Sequence, residues 1–445
     1  MNNPSFAVRN IGFLESALFS AALKILYFVA TIVPSFIVLV DSIVERLPFF
    51  LIVGRVAALF ALSVLAVQVI LGSRLKTLDR PFGLDRLLRL HRKMAIIALI
   101  AIIIHPLALA VEYSASGTLF SLGGMPLILG KIALFLLIVG IATAILRAKI
   151  KLDYNKWHLL HKGMILVVIL GFAHSMAIGG NLEGGAMQLW WRLLGLTAIA
   201  VFIYNNIVLR IAFRKKMVVE EVVRETRDTN TLIMKPAGGC GFSYRPGQFA
   251  FLELRRPGRR SEEHPFTIAS SPTAGDSISF TIKESGDFTR TIGETKPGDT
   301  ARIIAPFGRF SLMHDQPFKM VFIAGGVGIT PIMSMIRYLR DTADEREVVL
   351  LDANKSEEDI IFREEIESLP KNFSTTFILS APSPEWRGEF GFVDSPVIEK
   401  YCASVLDTAH FYICGPEPMI LSVLASLTEI GIQPKRLHTE RFSLA

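Results

Sequence analysis

Six stretches of the chain are almost wholly apolar, at about 18–40, 51–71, 94–111, 127–146, 163–178 and 193–212. Each is close to the roughly 20 residues that a helix needs to cross a bilayer, so the pattern predicts six transmembrane helices. The first stretch does not read as a secretory signal. It is long, seventeen residues precede it, and no small-residue cleavage pattern follows it. From Met217 the pattern becomes short and alternating. Segments 217–223, 231–235, 248–254, 277–283 and 300–304 predict the strands of a small antiparallel barrel that ends near Leu312. From Lys319 it changes again, to buried strands at 319–323, 347–351, 375–379 and 410–413. The first of these leads through glycines into an amphipathic helix that ends near Arg340, and the next two precede helices. Such alternation predicts a parallel sheet with helices on both faces.

Composition sharpens this division. The chain has 445 residues, 51% hydrophobic, with a net charge of +7. Residues 1–216 carry a net +14, and the remainder carries −7. The basic residues sit between apolar segments and form no basic face, which argues against a nucleic-acid partner. Three cysteines make no disulfide framework. Residues 72–93 hold seven Lys and Arg, residues 147–162 hold five, and the exit from the sixth stretch holds Arg210, Arg214, Lys215 and Lys216. The alternate loops hold almost none. Basic loops mark the cytoplasmic side, so both termini and the acidic half are expected in the cytoplasm.

Five histidines lie in the membrane half: His91, His105, His158, His161 and His174. Ionisable groups at membrane depth are functional candidates by default. His91 and His105 are 14 residues apart, about 21 Å along a helix and within about 40° of one face. His161 and His174 are 13 apart, about 19.5 Å, which leaves about 140° between them on an ideal helix. A local bulge or tilt is needed there. Pro106, directly after His105, permits a distortion in the third helix. His158 reads as a polar cap at the interface. The other four form two pairs at matched depth, one member per helix. This suits two stacked haems with two axial imidazoles each. A zinc site, which gathers its ligands in one place, does not fit pairs some 20 Å apart.

Two segments of the soluble half carry chemistry. Gly325-Gly326-Val327-Gly328-Ile329-Thr330-Pro331 follows a strand and opens a helix, with Thr330 placed to cap it and Pro331 suited to its first position. Free backbone N–H groups and the helix dipole make such a turn a pyrophosphate site. The run lacks the G-x-G-x-x-G spacing and does not by itself identify a dinucleotide fold. Its ligand should lie where Gly325–Gly328 and Cys414-Gly415-Pro416 meet. His264-Pro265-Phe266-Thr267-Ile268-Ala269-Ser270-Ser271 puts a histidine, an aromatic and hydroxyls on one strand and turn, suited to a flat ring and its phosphates.

Taken in order, these motifs resemble the ferric reductase and NADPH oxidase superfamily from about residue 50 onward. The resemblance implies a multidomain protein. Residues 1–216 would be a six-helix transmembrane haem-binding bundle, 217–313 an antiparallel FAD-binding β-barrel of ferredoxin-NADP reductase type, and 314–445 an α/β NAD(P)H-binding domain. His91 with His161 would ligate an inner b-type haem, and His105 with His174 an outer one. Arg245, Pro246 and Gln248, with His264, Pro265, Phe266 and Thr267, would hold the flavin. Gly286 and Thr289 would receive FAD phosphate, with Lys283 a further candidate. Gly325, Gly326, Gly328, Thr330 and Pro331 would hold NADPH or NADH. Lys355 stands where a 2′-phosphate would be tested, although a solvated lysine at a turn accounts for it equally. Cys414, Gly415 and Pro416 would lie beside the nicotinamide, and Phe442 would stack on the flavin until the nicotinamide displaces it.

The implied activity is that of an oxidoreductase in a bacterial inner membrane. Electrons would pass from cytoplasmic NAD(P)H through FAD and two haems to a small-molecule acceptor outside. The lead acceptor is oxygen, giving superoxide, and a ferric chelate is the alternative. The lipid bilayer is expected as a partner, but no obligate protein partner. A haem-free flavoreductase anchored in the membrane and serving a protein or quinone is the reading of a different class.

Overall fold

A computed structural model of the chain describes residues 17–114, 123–147, 149–179, 185–212, 214–238, 241–312 and 317–441. The chain divides into two compact units between Ile211 and Ala212.

The first unit is helical: α1 Ala17–Val44, α2 Phe49–Leu71, α3 Lys76–Phe82, α4 Leu84–Glu112, α5 Met125–Leu146, α6 Tyr154–Lys162, α7 Ile165–Ile178 and α8 Gly185–Ile203. A π-helical turn, Tyr204–Val208, and a last short helix, α9 Leu209–Ala212, follow. Six spans are long and apolar enough to cross a membrane, α6 and α7 together forming the fifth, Asn155–Ile178. α2 is the most buried and packs against α1, α4 and α8. Ile96, Ile97, Ile100, Ile103 and Ile104 of α4 face outward. A surface this apolar is one that lipid, not water, solvates.

Two boundaries differ from the apolar pattern. α4 begins at Leu84 rather than near 94, because its first turns are amphipathic: Leu84 and Leu87 are buried while Arg89 pairs with Asp85 on the outside at 2.8 Å. His91 and His105 therefore share one uninterrupted helix, and Pro106 does not break it.

The fifth span begins eight residues before Gly163 and breaks at Gly163–Met164. Around the break, the N–H groups of Gly163, Met164, Leu166 and Val167 bond to carbonyls three residues back, each at 3.0 Å. Such tight turns rotate about 120° and rise about 2.0 Å per residue, against 100° and 1.5 Å in an α-helix. About four of them add roughly 80° and 2 Å between His161 and His174. The awkward spacing of 13 thereby approaches the geometry of the straight spacing of 14. Met164 turns inward at the break and fills a notch at Gly140 of α5, where a Cβ would meet its sulfur.

The second unit holds two six-stranded sheets. The first comprises β1 Lys215–Thr226, β2 Thr229–Pro236, β3 Phe249–Arg255, β4 Glu263–Thr267, β5 Ile278–Lys283 and β6 Thr300–Phe307, in the order β4-β3-β6-β1-β2-β5. Every pairing is antiparallel. Just beyond β4, Ala269 N donates to Ser279 O of β5 at 2.8 Å and draws the two ends of the sheet together. Met217, Leu232, Leu252, Phe280 and Ile303 fill the interior.

The second sheet is wholly parallel, in the order β10-β9-β8-β7-β11-β12. Its strands are β7 Lys319–Gly325, β8 Glu347–Asn354, β9 Phe373–Leu379, β10 Glu389–Phe390, β11 His410–Cys414 and β12 Leu437–Glu440. The near-continuous apolar runs of β7, β8 and β11 reflect burial on both faces. Phe322, Leu350 and Tyr412 face one core, while Ile323, Leu351 and Ile413 face the other. α10, Ile329–Asp341, covers the first face.

Barrel and sheet are tied through α10. Ser334 Oγ donates to Ser270 O at 2.7 Å, and Arg337 Nη1 donates to Ala269 O at 2.8 Å. Arg337 also grips Glu365 through Nε at 2.9 Å and Nη2 at 2.5 Å, and lies over the Phe362 ring. Arg337→Met is expected to destabilise this unit by about 2–3 kcal/mol, as loss of a charge-assisted bond in a half-buried network implies. Denaturant unfolding followed by flavin release would show a lower midpoint, and an unchanged midpoint would exclude the tie.

Candidate functional site

The four membrane histidines form two facing pairs. The His91 and His161 rings have centroids 6.0 Å apart with planes at 72°, and His105 and His174 are 6.3 Å apart at 75°. Two imidazoles sharing one metal, at about 2.0–2.1 Å per metal–nitrogen bond, have centroids about 6 Å apart. Three rings are oriented by backbone. His91 Nδ1 bonds Gln68 O at 3.1 Å, His105 Nδ1 bonds Gly54 O at 3.0 Å, and His174 Nδ1 bonds Pro126 O at 2.8 Å. A carbonyl only accepts, so these three Nδ1 atoms carry the proton and Nε2 keeps its lone pair for a metal. Among the described residues no three His, Cys, Asp or Glu side chains gather as a metal site. Pairs suit an iron whose other four donors come from a porphyrin, and the residues present fit that group.

The partners of these rings were not named by the sequence reasoning. Gln68, Gly54 and Pro126 contribute only their carbonyls, for which side-chain identity gives no direct signal. The glycines do leave a trace, since small residues in apolar helices mark close approach. A Cβ on Gly130 would lie 2.7 Å from His174 Nδ1, and one on Gly72 would touch His91 at 3.4 Å.

In the barrel, the turn Arg245–Gln248 is locked to the far end of β6. Gln248 Oε1 accepts from Arg245 N at 2.8 Å, and its Nε2 donates to Gly308 O at 2.9 Å. Gly247 has φ +90°, and a Cβ there would run into Phe310 O at 2.2 Å. Pro265, Phe266 and Thr267 lie on β4 against β3, with Thr267 opposite Phe249. His264 stacks on Phe288 at 4.4 Å, and its Nε2 meets Glu262 at 3.0 Å.

Two flavin-phosphate candidates have close partners of their own. Thr289 Oγ1 accepts the N–H groups of Ser285 and Gly286 at 2.9 and 2.8 Å, so that turn satisfies its own donors. Lys283, at the end of β5, bonds Asp228 at 3.3 Å and lines a cavity shared with the nucleotide loops.

Those loops meet closely. A short 3₁₀ turn, Gly326–Gly328, leads into α10. A Cβ on Gly328 would sit 2.2 Å from the Cys414 carbonyl oxygen, and one on Gly325 would collide with Met419 and Pro416. Thr330 does not cap the helix. Gly328 occupies that position, and the buried Thr330 hydroxyl donates back to Val327 O at 3.0 Å. Pro331 is the third helical residue rather than the first, still within the turn that needs no N–H donor. Cys414 is buried in the core, where burial and the nearby Glu440 push its thiol well above the ordinary range. It is therefore no thiolate nucleophile. Phe442 lies outside the described residues.

The cavity, about 320 Å³, is lined by Gly325, Gly326, Asn354, Pro416 and Phe392, with the cations Lys355, Lys283 and Arg227 and the carboxylate of Asp359, which pairs with Arg227 at 3.6 Å. Beside its wall is a group that sequence reasoning passed over. Asp352 is buried at the end of β8. Asn354 Nδ2 donates to its Oδ2 at 2.8 Å, while its Oδ1 has no partner. Burial pushes its carboxyl up to about 7, against the pull of the Asn354 bond.

Comparison with known proteins agrees with the architecture. Residues 57–172 match the ferric reductase like transmembrane component, 213–300 an FAD-binding domain, and 322–424 the oxidoreductase NAD-binding domain. Ferredoxin--NADP reductase B of Sorangium cellulosum is 31% identical over 47% of this chain and 90% of its own length. The stachydrine N-demethylase reductase subunit Stc4 of Rhizobium meliloti is 29% identical over 49% of this chain and 64% of its own. The glycine betaine monooxygenase reductase subunit of Pseudomonas aeruginosa is 31% identical over 50% and 62%. The chain thus spans less than two thirds of these two subunits. It belongs to the ferric reductase and NADPH oxidase-like superfamily: an integral-membrane, FAD- and NAD(P)H-dependent oxidoreductase that transfers electrons. The expectation of no obligate protein partner is overturned by these relatives, because a reductase subunit is by name one part of an assembly.

Two outcomes follow from the geometry. Gly130→Ala is expected to push the His174 ring aside; if these pairs hold haem, the purified chain should then carry about one equivalent less, measured by pyridine haemochrome. Full retention would show the notch to be incidental. Asp352, with a folded-state pKa above its unfolded value of 3.8, takes up a proton on folding, so stability falls as pH rises from about 4 to about 7. Asp352→Asn removes that loss. Its advantage over the parent should be near zero below pH 4 and grow to at most about 4 kcal/mol above pH 7. A gap that does not vary with pH would exclude a buried neutral carboxyl.

Proposed function

We propose that the chain carries electrons from cytoplasmic NAD(P)H through FAD and two b-type haems to an acceptor on the outer face of a bacterial inner membrane. The observation that carries this reading is the pair of ring separations, 6.0 and 6.3 Å, on helices at two depths. The basic loops support an orientation with both termini in the cytoplasm.

His91 and His161 would hold the inner haem, and His105 and His174 the outer one. When bound, FAD takes a hydride from NAD(P)H and releases electrons singly, and haem iron carries them one at a time. The chain's own work is positioning. The Gln68, Gly54 and Pro126 carbonyls hold three imidazole protons away from the metal side. Arg245, Pro246 and Gln248 form the locked turn beside which Pro265, Phe266 and Thr267 would bear the flavin, with His264 at its edge. Gly286 and Thr289 would contribute to the flavin side through the shape of their turn. Gly325, Gly326 and Gly328 would let the pyrophosphate approach the start of α10, with Thr330 and Pro331 setting its first turn. Lys283 would be a further partner for the FAD phosphates and Lys355 for a nicotinamide 2′-phosphate, with Arg227 on the same cavity wall. Cys414, Gly415 and Pro416 would floor the nicotinamide position, and Phe442 would stack on the flavin in its absence.

With His91 and His161, or His105 and His174, holding each haem, an acceptor would have to take electrons without binding the iron. Oxygen, giving superoxide, is the lead acceptor and a ferric chelate the alternative. A second reading is favoured by the reductase-subunit relatives: a partner protein draws electrons from the reductase unit itself. Purified chain is expected to hold two haems, and alanine at His91, His105, His161 or His174 to lose about one each. One haem or none would overturn the two-step path. NADPH and NADH, each offered first with oxygen and a reporter dye and then anaerobically with ferric citrate, would separate the acceptors, because only dye reduction by superoxide is abolished by superoxide dismutase.

A further inference from the structure

Three of the four paired histidines are held by a carbonyl on a neighbouring element. His161 is not: among the described residues its buried Nδ1 has no hydrogen-bond partner. What it has is a ring. Trp157, one helical turn earlier on α6, stacks on it with centroids 5.2 Å apart and planes at 26°. The Arg147 guanidinium in turn lies 5.4 Å from the centre of the Trp157 ring. α6 is a nine-residue helix with its own N-cap, where Asp153 accepts from Lys156 N at 3.1 Å, and it ends at the Gly163–Met164 break. The orientation of His161 is thus set inside this short helix, not by a bond to a neighbouring one.

The two kinds of support differ chemically. A carbonyl on Nδ1–H fixes both tautomer and ring plane, and it makes Nε2 a stronger donor. A stacked indole fixes the plane only. We infer that Trp157 is the positioning residue for His161, steadied by Arg147, and that His161 is the most readily displaced of the four ligands. This rests on the haem reading above. The displaced position would accept a small neutral ligand that binds ferrous iron. In that exchange one bond from iron to His161 Nε2 would break and one to the incoming ligand would form, with no electron or proton moved.

Carbon monoxide is the probe. The full chain, in detergent and reduced with dithionite, would be titrated with it while haem is quantified. The parent is expected to bind it at one haem of two. Trp157→Leu should bind it about tenfold more tightly, the lower end of what loss of an outer support does to a metal site. Trp157→Phe, which keeps a stacking ring, should stay near the parent. Loss of one haem in Trp157→Leu, restored in Trp157→Phe, would equally support the inference. Trp157→Leu with both haems and parental affinity would overturn it, as would carbon monoxide binding equally at both haems of the parent. A parent without haem would overturn the underlying reading instead, a separate and visible result.

Discussion

The geometry of the membrane unit depends on one interaction, the bond from an imidazole Nδ1–H to a backbone carbonyl on a neighbouring element. In a hydrocarbon setting an unsatisfied polar group is costly, and a histidine has two ring nitrogens to satisfy. Gln68, Gly54 and Pro126 each offer a carbonyl at hydrogen-bond distance. One nitrogen of each of these three rings is thereby settled, and each ring lies with its centre about 6 Å from that of its opposite number. Gly130 of α5 serves the same constraint, because a side chain there would occupy the place of the His174 ring.

The reductase unit obeys a related rule by other means. Its ligand loops are set by how closely backbone can approach backbone. Gly328 lies against the Cys414 carbonyl, and Gly247 against Phe310, at distances that no Cβ tolerates. Around these contacts the polar ties are shared: Ser334 and Arg337 of α10 hold the carbonyls of Ser270 and Ala269, which follow the flavin strand. The elements expected to carry flavin and those expected to carry nicotinamide are thus joined through one helix. The charge in the cavity is shared likewise, with Lys283 from the barrel and Lys355 from the parallel sheet.

Much of this was legible in the chain. Apolar runs near 20 residues give spans, alternation gives the barrel, and buried strands between helices give the parallel sheet, because each follows from local burial. The site was legible where its residues are rare in their setting: four histidines among aliphatic side chains, or glycines between strand and helix. It was not legible where the backbone acts, as at Pro126 and Gln68, or where identity misleads. Thr330 looks like a cap and instead bonds backward to Val327. Asp352 carries no motif, and only its burial singles it out.

The sequence alone determined the number of spans, the order of the domains and the histidine spacing, since these depend on composition along a line. Tertiary structure decided whether the spacing works. A spacing of 13 from His161 to His174 fails on a straight helix, and tight bonds at Gly163–Met164 recover most of the turn and the rise. The break is accompanied by a cross-helix contact, with Met164 seated against Gly140 of another helix. A contact between residues distant in the chain has no signature in either segment by itself, which is why the fold had to supply it.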